Sequence, residues 1–294
     1  MLVRGGNESL FKQHPFINKV YVWQKKSAKY RNLYRLIRSI RAEHYDGVIN
    51  LQRHAASALV TILSGAKKTA GFDSSALSLF YSYASKHQLG KKNDVDYTHE
   101  IDRYLQLTTP WLPLERAAPA LYPSASDSAA VLLYTNKPFI TISPSSVWFT
   151  KQTPGVVWSR LIAASNDKQI YLLGGPSDVA ICESLAKNYS NVHVLAGKLS
   201  LLQSAALMQR AEMNYTNDSA PLHLCSATNA PVTAIFCSTI PEFGFGPLST
   251  NSRVVQSRLD LPCKPCGNHG KSSCPKGHFN CGEIALADLL PTSK

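Results

Sequence analysis

The fold class follows from PFITISP at residues 138–144 and GVVWSRLIAAS at residues 155–165. The first is an apolar run of strand length, and the second carries apolar residues at helical spacing. The alternation continues through QIYLLGG (169–175), DVAICESLAKNY (178–189), NVHVLAG (191–197), SLLQSAALMQRA (200–211), MNYTND (213–218), SAPLHLCSATN (219–229) and PVTAIFC (231–237). Strands and helices in strict alternation predict a doubly wound α/β sheet, and such sheets bind ligands at the carboxyl ends of their strands.

The first half of the chain shows the same rhythm in shorter elements. We predict a basic amphipathic helix from Ser27 to Tyr45, a strand at VINLQ (48–52), a helix at AASALVTILSGA (55–66) and a helix from Tyr97 to Leu107. The segment from Thr108 to Asp127 is rich in Pro, Ala and Ser, which is typical of an interdomain connection. The predicted organisation is a first domain over 1–125, a linker over 126–137 and a second domain over 138–294.

Composition narrows the class of protein. The chain has 294 residues, of which 44% are hydrophobic and 17% charged, and this composition excludes a disordered chain. The sequence predicts neither a membrane-spanning helix nor a signal peptide, because its apolar runs are short and MLVRGGNESLF has no apolar core. The net charge of +12 calls for an anionic partner: nucleic acid, an anionic membrane surface or a phosphorylated substrate. The sequence contains no nucleic-acid-binding motif, so the last two are favoured.

A first candidate anion site lies in NDSAPLH, directly after a predicted strand. Asp218 and Ser219 open a helix whose N-terminal N–H groups and dipole attract an anion, and His223 lies one turn further along. Plain helix capping by Asp218 or Ser219 explains this motif equally well.

Two other segments follow predicted strands in the same way. In SPSSVWFTKQTP, Ser145 and Ser146 could donate to phosphate oxygens and Lys151 could supply a positive charge. The alternative there is a solvated loop with an exposed lysine. In LLGGPSD, Gly174 permits close backbone approach, and Asp178 either accepts from ribose hydroxyls or caps the next helix.

Together these segments resemble glycosyltransferase family nine, the bacterial heptosyltransferases of lipopolysaccharide core assembly. The family's Ser/Thr pair with TK and Pro, its GGxxD/E turn and its nDSgxxHla segment occur here in order. The matching residues are Ser145, Ser146, Thr150, Lys151 and Pro154, then Gly174, Gly175 and Asp178, then Asn217, Asp218, Ser219, His223 and Leu224. HPFINKVYVW (14–23), YDGVINLQ (45–52), TAGFD (69–73), HEIDRYLQL (99–107) and the loop from Phe236 to Pro241 are also similar, so the resemblance covers nearly the whole chain.

The resemblance implies an α/β protein of the GT-B fold, with two Rossmann-like, doubly wound domains. The C-terminal domain would hold a nucleotide-sugar donor and the N-terminal domain the acceptor. The implied donor contacts are Ser145, Ser146 and Lys151 to the phosphates, Asp178 to the ribose, Leu199 to the base, and Asp218, Ser219, Ala220 and His223 around the pyrophosphate. Lys151 would stabilise the leaving diphosphate, and no cofactor or divalent ion is expected in the chemistry.

One part of the family pattern has no counterpart in this sequence. Family members begin with a strand and a Gly-Asp loop that supplies the Asp taken to be the catalytic base, whereas MLVRGGNESLF resembles the end of the second strand. We therefore expect an N-terminally truncated first domain and assign no catalytic base. Because the donor-site motifs are retained, we favour a gene start placed too late over an inactive remnant.

Four of the seven cysteines lie close together near the C-terminus: Cys263, Cys266, Cys274 and Cys281. A CxxC pair followed by two cysteines, with His269 and His278 between them, is a zinc-ligand pattern. Reduced thiols in a loop are the favoured alternative because the spacing is irregular for a zinc ribbon, and a reducing cytosol disfavours disulfides. The other three, Cys182, Cys225 and Cys237, lie on apolar faces and are predicted in the core.

The sequence thus favours a metal-independent glycosyltransferase. We expect it to transfer heptose from ADP-heptose to a lipopolysaccharide-core acceptor, as a peripheral, monomeric enzyme at the cytoplasmic face of the inner membrane, with no nucleic-acid partner. The basic helix around Arg31–Arg41 would face the anionic acceptor or membrane, or is a solvated surface without a partner. The alternative function is a remnant that binds a nucleotide or an anionic glycolipid without catalysis.

Overall fold

A computed structural model describes residues 1–25, 28–113 and 115–290, so Ser27, the predicted start of the basic helix, lies outside the described residues. The chain divides into two compact units, Met1–Ala117 and Ala118–Lys294. Both are α/β, and every strand pair described in them is parallel. Within the described ranges, no helix is both long and apolar enough to cross a membrane.

Unit 1 contains short strands separated by helices. Its elements are β1 (Leu2–Arg4), β2 (Tyr21–Trp23), α1 (Lys29–Arg41), β3 (Gly47–Asn50), α2 (Ala55–Leu63), β4 (Lys68–Phe72), β5 (Tyr83–Ser85) and α3 (Glu100–Gln106). β1 pairs with β2, and β3, β4 and β5 form a separate sheet in that order. The predicted helices and the predicted strand are present with shorter bounds. Strand β1 lies in MLVRGGNESLF, which resembled the end of a strand. Strands β2, β4 and β5 were not predicted, because they have only three to five residues and are too short to show a periodic pattern.

Helix α1 is amphipathic, as predicted. Leu33 and Ile40 are buried in a small core with Tyr21 and Trp23, while the Lys and Arg side chains lie on the opposite, exposed face. Arg38 and Arg41 lie in the last turn, where a positive charge complements the negative end of the helix dipole.

The predicted linker over 126–137 is wrong, because most of it is helical and belongs to unit 2. Helix α4 (Ala125–Ala130) and a 3-10 turn (Leu132–Tyr134) occupy it, and Val131 between them is fully buried. Ser124 begins α4 with a capping box, in which its side chain accepts from the Asp127 N–H while the Asp127 carboxylate accepts from the Ser124 N–H. The border between the units, at Ala117, lies in the Pro-rich segment before this helix.

Unit 2 contains the alternation predicted from residue 138 to residue 237. Its further elements are β6 (Phe139–Ser143), α5 (Gly155–Ala164), β7 (Gln169–Leu172), α6 (Val179–Ala186), β8 (Val192–Val194), α7 (Leu201–Met208), β9 (Met213–Asn217), α8 (Ala220–Thr228), β10 (Val232–Ile235), β11 (Ser252–Val255) and α9 (Leu286–Leu289). The strands form one sheet in the order β11-β10-β9-β6-β7-β8. The five predicted strands and four predicted helices are confirmed. Strand β11 was missed because Arg253 interrupts its apolar run.

The core of unit 2 lies on both faces of β6, whose five residues are all buried. Trp158 and Leu161 of α5 pack there without solvent exposure. The predicted core cysteines, Cys182, Cys225 and Cys237, are fully buried, and burial raises the pKa of each thiol to about 12. They are therefore neutral thiols that pack as small apolar side chains.

Candidate functional site

The strand order of unit 2 reverses at β6, which lies between β7 and β9. Ligands bind open α/β sheets at such a switch point, beyond the carboxyl ends of the strands. Ser143 and Thr216 are opposite one another in the register of β6 and β9. The loops that follow these two strands therefore begin side by side, and they contain most of the predicted site residues.

Asn217, at the end of β9, fixes the loop that follows β6. Its side chain is fully buried, and its Nδ2 donates to the carbonyl of Pro144 at 2.8 Å. Its Oδ1 accepts from the N–H and the hydroxyl of Thr153 at 2.9 and 2.7 Å. One side chain thereby holds both ends of the loop that carries Ser145, Ser146 and Lys151, and this constrains where those groups lie.

We predict that Asn217→Ala lowers the free energy of unfolding by about 2 kcal/mol, because it leaves buried donors of Thr153 and the Pro144 carbonyl without a partner. The loss is measured by urea unfolding. Asn191→Ala is the matched control. Asn191 donates to the Lys168 carbonyl at 2.8 Å, and both residues lie just before strands begin, at the amino-terminal ends of β7 and β8 and so away from the site. Equal losses in the two variants would contradict the anchoring role of Asn217.

Lys151 and Asp218 form a largely buried ion pair beyond the carboxyl ends of β6 and β9. Lys151 Nζ lies 2.6 Å from Asp218 Oδ2, which also accepts from the Thr239 hydroxyl at 2.6 Å. The Lys151 side chain is 18% exposed and that of Asp218 8%. The ammonium of Lys151 is thus held beside the start of α8 by a carboxylate from the neighbouring strand, and the alternative of an exposed lysine on a solvated loop is wrong.

The N-terminus of α8 lies directly beyond this ion pair. Ser219 is the N-cap residue, but its side chain does not cap the helix: its hydroxyl donates weakly to the Asn217 carbonyl, at 3.4 Å. Asp218 is engaged by Lys151 and Thr239 instead. Capping by these two side chains, the alternative explanation of the motif, is therefore not what the structure has. At the start of α8, Pro221 has no N–H and the Leu222 N–H donates to the Ser219 carbonyl at 3.1 Å, so Ala220 carries the helix N–H that an anion could meet.

Asp178 and Leu199 follow β7 and β8, so they too lie beyond the carboxyl ends of strands of this sheet. The carboxylate of Asp178 accepts from the Gly175 N–H at 2.8 Å, which caps the 3-10 turn Pro176–Asp178 directly before α6, whereas α6 itself receives no side-chain cap from Asp178. A Cβ on Gly174 would lie 2.7 Å from the Cβ of Asp178, so only glycine fits there. Leu199 is half-buried, and His223 is exposed with its ring 6.5 Å from that of Phe245.

Two residues of this site were not singled out from the sequence. Thr153 and Thr239 both use their hydroxyls to hold site residues, Asn217 and Asp218 respectively. Both threonines follow predicted strands of unit 2, which was an available signal. Their partners are distant in sequence, so the pairing itself could not be predicted.

The cysteine-rich loop, residues 263–281, packs against the loop that carries Lys151. The Thr150 N–H donates to the Lys271 carbonyl at 3.1 Å, and the Thr150 hydroxyl accepts from the Lys271 N–H at 2.8 Å and from the Ser238 hydroxyl at 3.0 Å. A Cβ on Gly270 would lie 2.3 Å from the Cβ of Trp148, so the two loops touch closely. The cysteine-rich loop therefore helps to fix the position of Lys151 through its contacts with Thr150 and Trp148.

The possible zinc ligands in this loop, as far as the structure describes them, are not arranged as a metal site. Cys263 Sγ lies 3.8 Å from His278 Nε2, while Cys281 is buried. Among the residues that the structure describes, no three Cys, His, Asp or Glu side chains are placed to hold one metal ion. The geometry gives no support to zinc at Cys263, Cys266, Cys274 and Cys281, for which the sequence favoured reduced thiols in a loop.

Several solved structures share the fold of this chain. An Escherichia coli ADP-heptose lipopolysaccharide heptosyltransferase II superposes with a TM-score of 0.74 at 20% identity, over 90% of this chain and 85% of that one. A family 9 glycosyltransferase from Veillonella parvula also gives 0.74 at 20% identity, over 86% and 75%. An E. coli heptosyltransferase with ADP gives 0.68 at 22% identity, over 86% and 82%. The chain is thus an α/β protein of the GT-B fold.

Sequence comparison gives the family. The profile of glycosyltransferase family 9 (heptosyltransferase) matches residues 33–276. The lipopolysaccharide heptosyltransferase 3 of E. coli is 26% identical over 251 residues, which is 78% of this chain and 72% of that protein. The lipopolysaccharide heptosyltransferase 1 of Campylobacter coli is 27% identical over 254 residues, 79% and 72% respectively. The protein belongs to glycosyltransferase family 9, as the motifs of unit 2 predicted.

Proposed function

We propose that this protein transfers heptose from ADP-heptose to a lipopolysaccharide-core acceptor, with the donor held at the switch point of unit 2. The observation that carries the proposal is the convergence of two anion-binding features there. The Lys151 ammonium lies 2.6 Å from the carboxylate of Asp218, which immediately precedes the N-terminus of α8. A diphosphate at this point would meet a lysine charge, the Ala220 N–H and the positive end of a helix dipole together.

The same groups suit the chemistry of the leaving group. Cleavage of the sugar–phosphate bond leaves negative charge on the diphosphate, and fixed donors in a partly buried site stabilise that charge. Lys151 and the Ala220 N–H are in place before the donor arrives, since Asn217 fixes the loop that carries Lys151 and Asp218 pairs with the ammonium. We propose that they stabilise the departing ADP without a metal ion, while Ser145 and Ser146 donate to its phosphate oxygens.

The rest of the donor is assigned by position along the same edge. Asp178, after β7, would accept from ribose hydroxyls through the carboxylate oxygen that does not accept from Gly175. Leu199, half-buried after β8, would contact the base. Choice of ADP over other nucleotides rests on relatives, since one similar E. coli heptosyltransferase was solved with ADP.

The acceptor side is assigned to unit 1 and to the exposed face of α1. That face carries Lys29, Arg31, Arg35, Arg38 and Arg41, together with exposed Tyr30 and Tyr34. Lys and Arg attract anionic lipid headgroups, and tyrosine favours the membrane–water interface. We propose that α1 brings the enzyme to the cytoplasmic membrane surface and to its phosphorylated acceptor.

The donor assignment is tested by calorimetry of the full chain with ADP, UDP and GDP, followed by mass spectrometry of a core acceptor incubated with ADP-heptose. We expect ADP to bind at least about tenfold more tightly than UDP, a difference of about 1.4 kcal/mol. We also expect the acceptor to gain one heptose. ADP binding without transfer would support the non-catalytic alternative, and equal binding of all three nucleotides would refute the donor assignment.

A further inference from the structure

The loop that carries Lys151 exposes three consecutive apolar residues. Val147 is 93% exposed, Trp148 43% and Phe149 46%. Phe149 lies in the same 3-10 turn as Lys151 (Phe149–Lys151), although Lys151 itself is largely buried. None of the proposed donor contacts uses these three side chains. Contiguous exposed apolar residues of this kind mark an interaction surface.

Two further apolar side chains extend this surface within unit 2. The rings of Phe149 and Phe279 pack with their centroids 5.0 Å apart. A Cβ on Gly282 would lie 2.9 Å from an atom of Phe279 and 2.9 Å from one of Pro154, so these two side chains adjoin. Val156, two residues after Pro154, is 56% exposed in the first turn of α5. We call the surface formed by Val147, Trp148, Phe149, Val156 and Phe279 the Trp148 patch.

Exposed cations border the Trp148 patch. Lys271 lies at its edge, because the Lys271 backbone makes hydrogen bonds of 3.1 and 2.8 Å with Thr150. Lys276 is exposed in the same cysteine-rich loop. On α5, Arg160 is exposed one helical turn after Val156. The patch therefore combines an apolar centre with a positively charged rim.

This charge pattern favours an anionic lipid bilayer over a protein as the partner. Residues 144–166 and 261–282, which supply the patch and its rim, contain no Asp or Glu. A second copy of the patch would therefore meet like charges, and lysine is depleted at protein–protein interfaces. Tryptophan is enriched at the membrane–water interface, and each Lys or Arg near an anionic lipid surface strengthens binding by about fivefold.

We propose that the Trp148 patch is a membrane-binding surface, whose apolar residues enter the headgroup region of a bilayer while Arg160, Lys271 and Lys276 contact anionic lipids. It is distinct from the surface proposed on α1, since it belongs to unit 2. Because Phe149 and Lys151 share one turn, binding through the patch holds the Lys151 loop at the bilayer. Under the proposed function, this is the surface where a lipid-linked acceptor lies.

The charged rim is tested by co-sedimentation of the full chain with vesicles of phosphatidylcholine and phosphatidylglycerol, compared with vesicles of phosphatidylcholine alone. We expect tighter binding to the anionic vesicles, and we expect Lys271→Ser with Lys276→Ser to weaken it by at least about tenfold. The matched control is Lys137→Ser with Lys187→Ser. Both of these lysines are exposed in unit 2 but precede β6 and β8, whereas the patch follows the carboxyl end of β6. We expect the control to bind as the parent does.

The apolar centre is tested in the same assay. We expect Val147→Ser with Phe149→Ser to weaken binding by at least about tenfold, because it removes apolar surface from the bilayer contact. The control is Leu132→Ser with Leu133→Ser, since these side chains are 49% and 64% exposed in the turn before β6. We also expect brominated lipids to quench the fluorescence of Trp148, and Trp148→Phe to lose that quenching while it still binds.

Three outcomes would overturn the proposal. The charge and apolar variants could bind anionic vesicles as the parent does, or brominated lipids could quench the parent and Trp148→Phe equally. Loss of binding only in Arg31→Ser with Arg35→Ser would assign the membrane contact to α1 alone and leave the proposed function intact. Self-association of the parent without vesicles, abolished by the apolar variant, would make a second copy of the chain the partner. Circular dichroism checks the folding of each variant, and the quenching experiment decides the question if a double variant does not fold.

Discussion

Arg103→Met is expected to lower the free energy of unfolding of unit 1 by about 3–5 kcal/mol, because it leaves a buried carboxylate without its cation. Arg103 is 1% exposed, and its Nε donates to Glu100 at 2.7 Å. Its Nη1 also donates to the carbonyl of Gln88 at 3.0 Å, so the guanidinium joins α3 to the segment after β5. Loss of Arg103 therefore removes a charge partner and a connection within the unit at once.

The matched control is Arg116→Met. Arg116 Nε lies 2.9 Å from Asp102, on the same helix as Glu100, but the Arg116 side chain is 60% exposed. Solvent screens such a pair, and we expect a loss of at most about 1 kcal/mol. Both variants are measured by hydrogen exchange of unit 1 amides and by urea unfolding of the full chain. Losses of equal size in the two variants would show that burial does not determine how much Arg103 contributes to the free energy of unfolding.

The same cluster predicts a pH dependence. Burial alone would raise the pKa of Glu100, but hydrogen bonds from His87 and Arg103 outweigh it and hold the pKa below its ordinary value of 4.5. A carboxyl whose pKa is lower in the folded state stabilises the fold above its unfolded pKa and loses that contribution as the pH falls through the folded pKa. We expect unit 1 to lose stability as the pH falls below about 4.5, and Arg103→Met, which lacks one of the hydrogen bonds that lower the pKa of Glu100, to lose less over the same pH range when unfolding is followed with urea.

The two units differ in how far sequence reasoning could predict them. In unit 2 each of the first four strands, β6 to β9, is followed by a helix of eight to ten residues, and the periodicity changes clearly from strand to helix. In unit 1, β4 includes Gly71, where a Cβ would lie 2.5 Å from the ring of Tyr81. Gly71 allows this close packing in the folded protein, but in the sequence alone a glycine indicates a turn. Strand β4 was missed for this reason, and the others for their length.

The candidate site could be predicted only as a set of residues, not as an arrangement. Motif spacing placed Lys151 and Asp218 at strand ends, and the parallel sheet requires those ends to share an edge. Their ion pair, however, joins residues far apart in sequence through side-chain rotamers that no pattern encodes. The linker failed for the converse reason: Ser124 and Asp127 form a local capping box, a signal that was present but was read as loop composition.

Lys151→Ala is expected to weaken ADP binding by about 10- to 100-fold, as measured by calorimetry, since a hydrogen bond to a charged group contributes about 1.5–3 kcal/mol. The structure makes Lys168→Ala the matched control. Lys168 forms an ion pair with Glu212 just before β7 and β9 begin. This pair lies at the amino-terminal ends of the strands, whereas the proposed donor site lies at their carboxyl ends. We expect that variant to bind ADP as the parent does, and unchanged affinity in Lys151→Ala would contradict the phosphate role.

A second variant separates two causes that Lys151→Ala combines. Removing the ammonium also leaves Asp218, which is largely buried, as an uncompensated negative charge where the diphosphate is proposed to bind. In the double variant Lys151→Ala with Asp218→Asn, that repulsion is absent while the amide can still accept from Thr239. If repulsion alone weakens binding, the double variant recovers the parent affinity. If Lys151 contacts the phosphates, most of the loss persists, and it diminishes with rising salt because the lost contact is ionic.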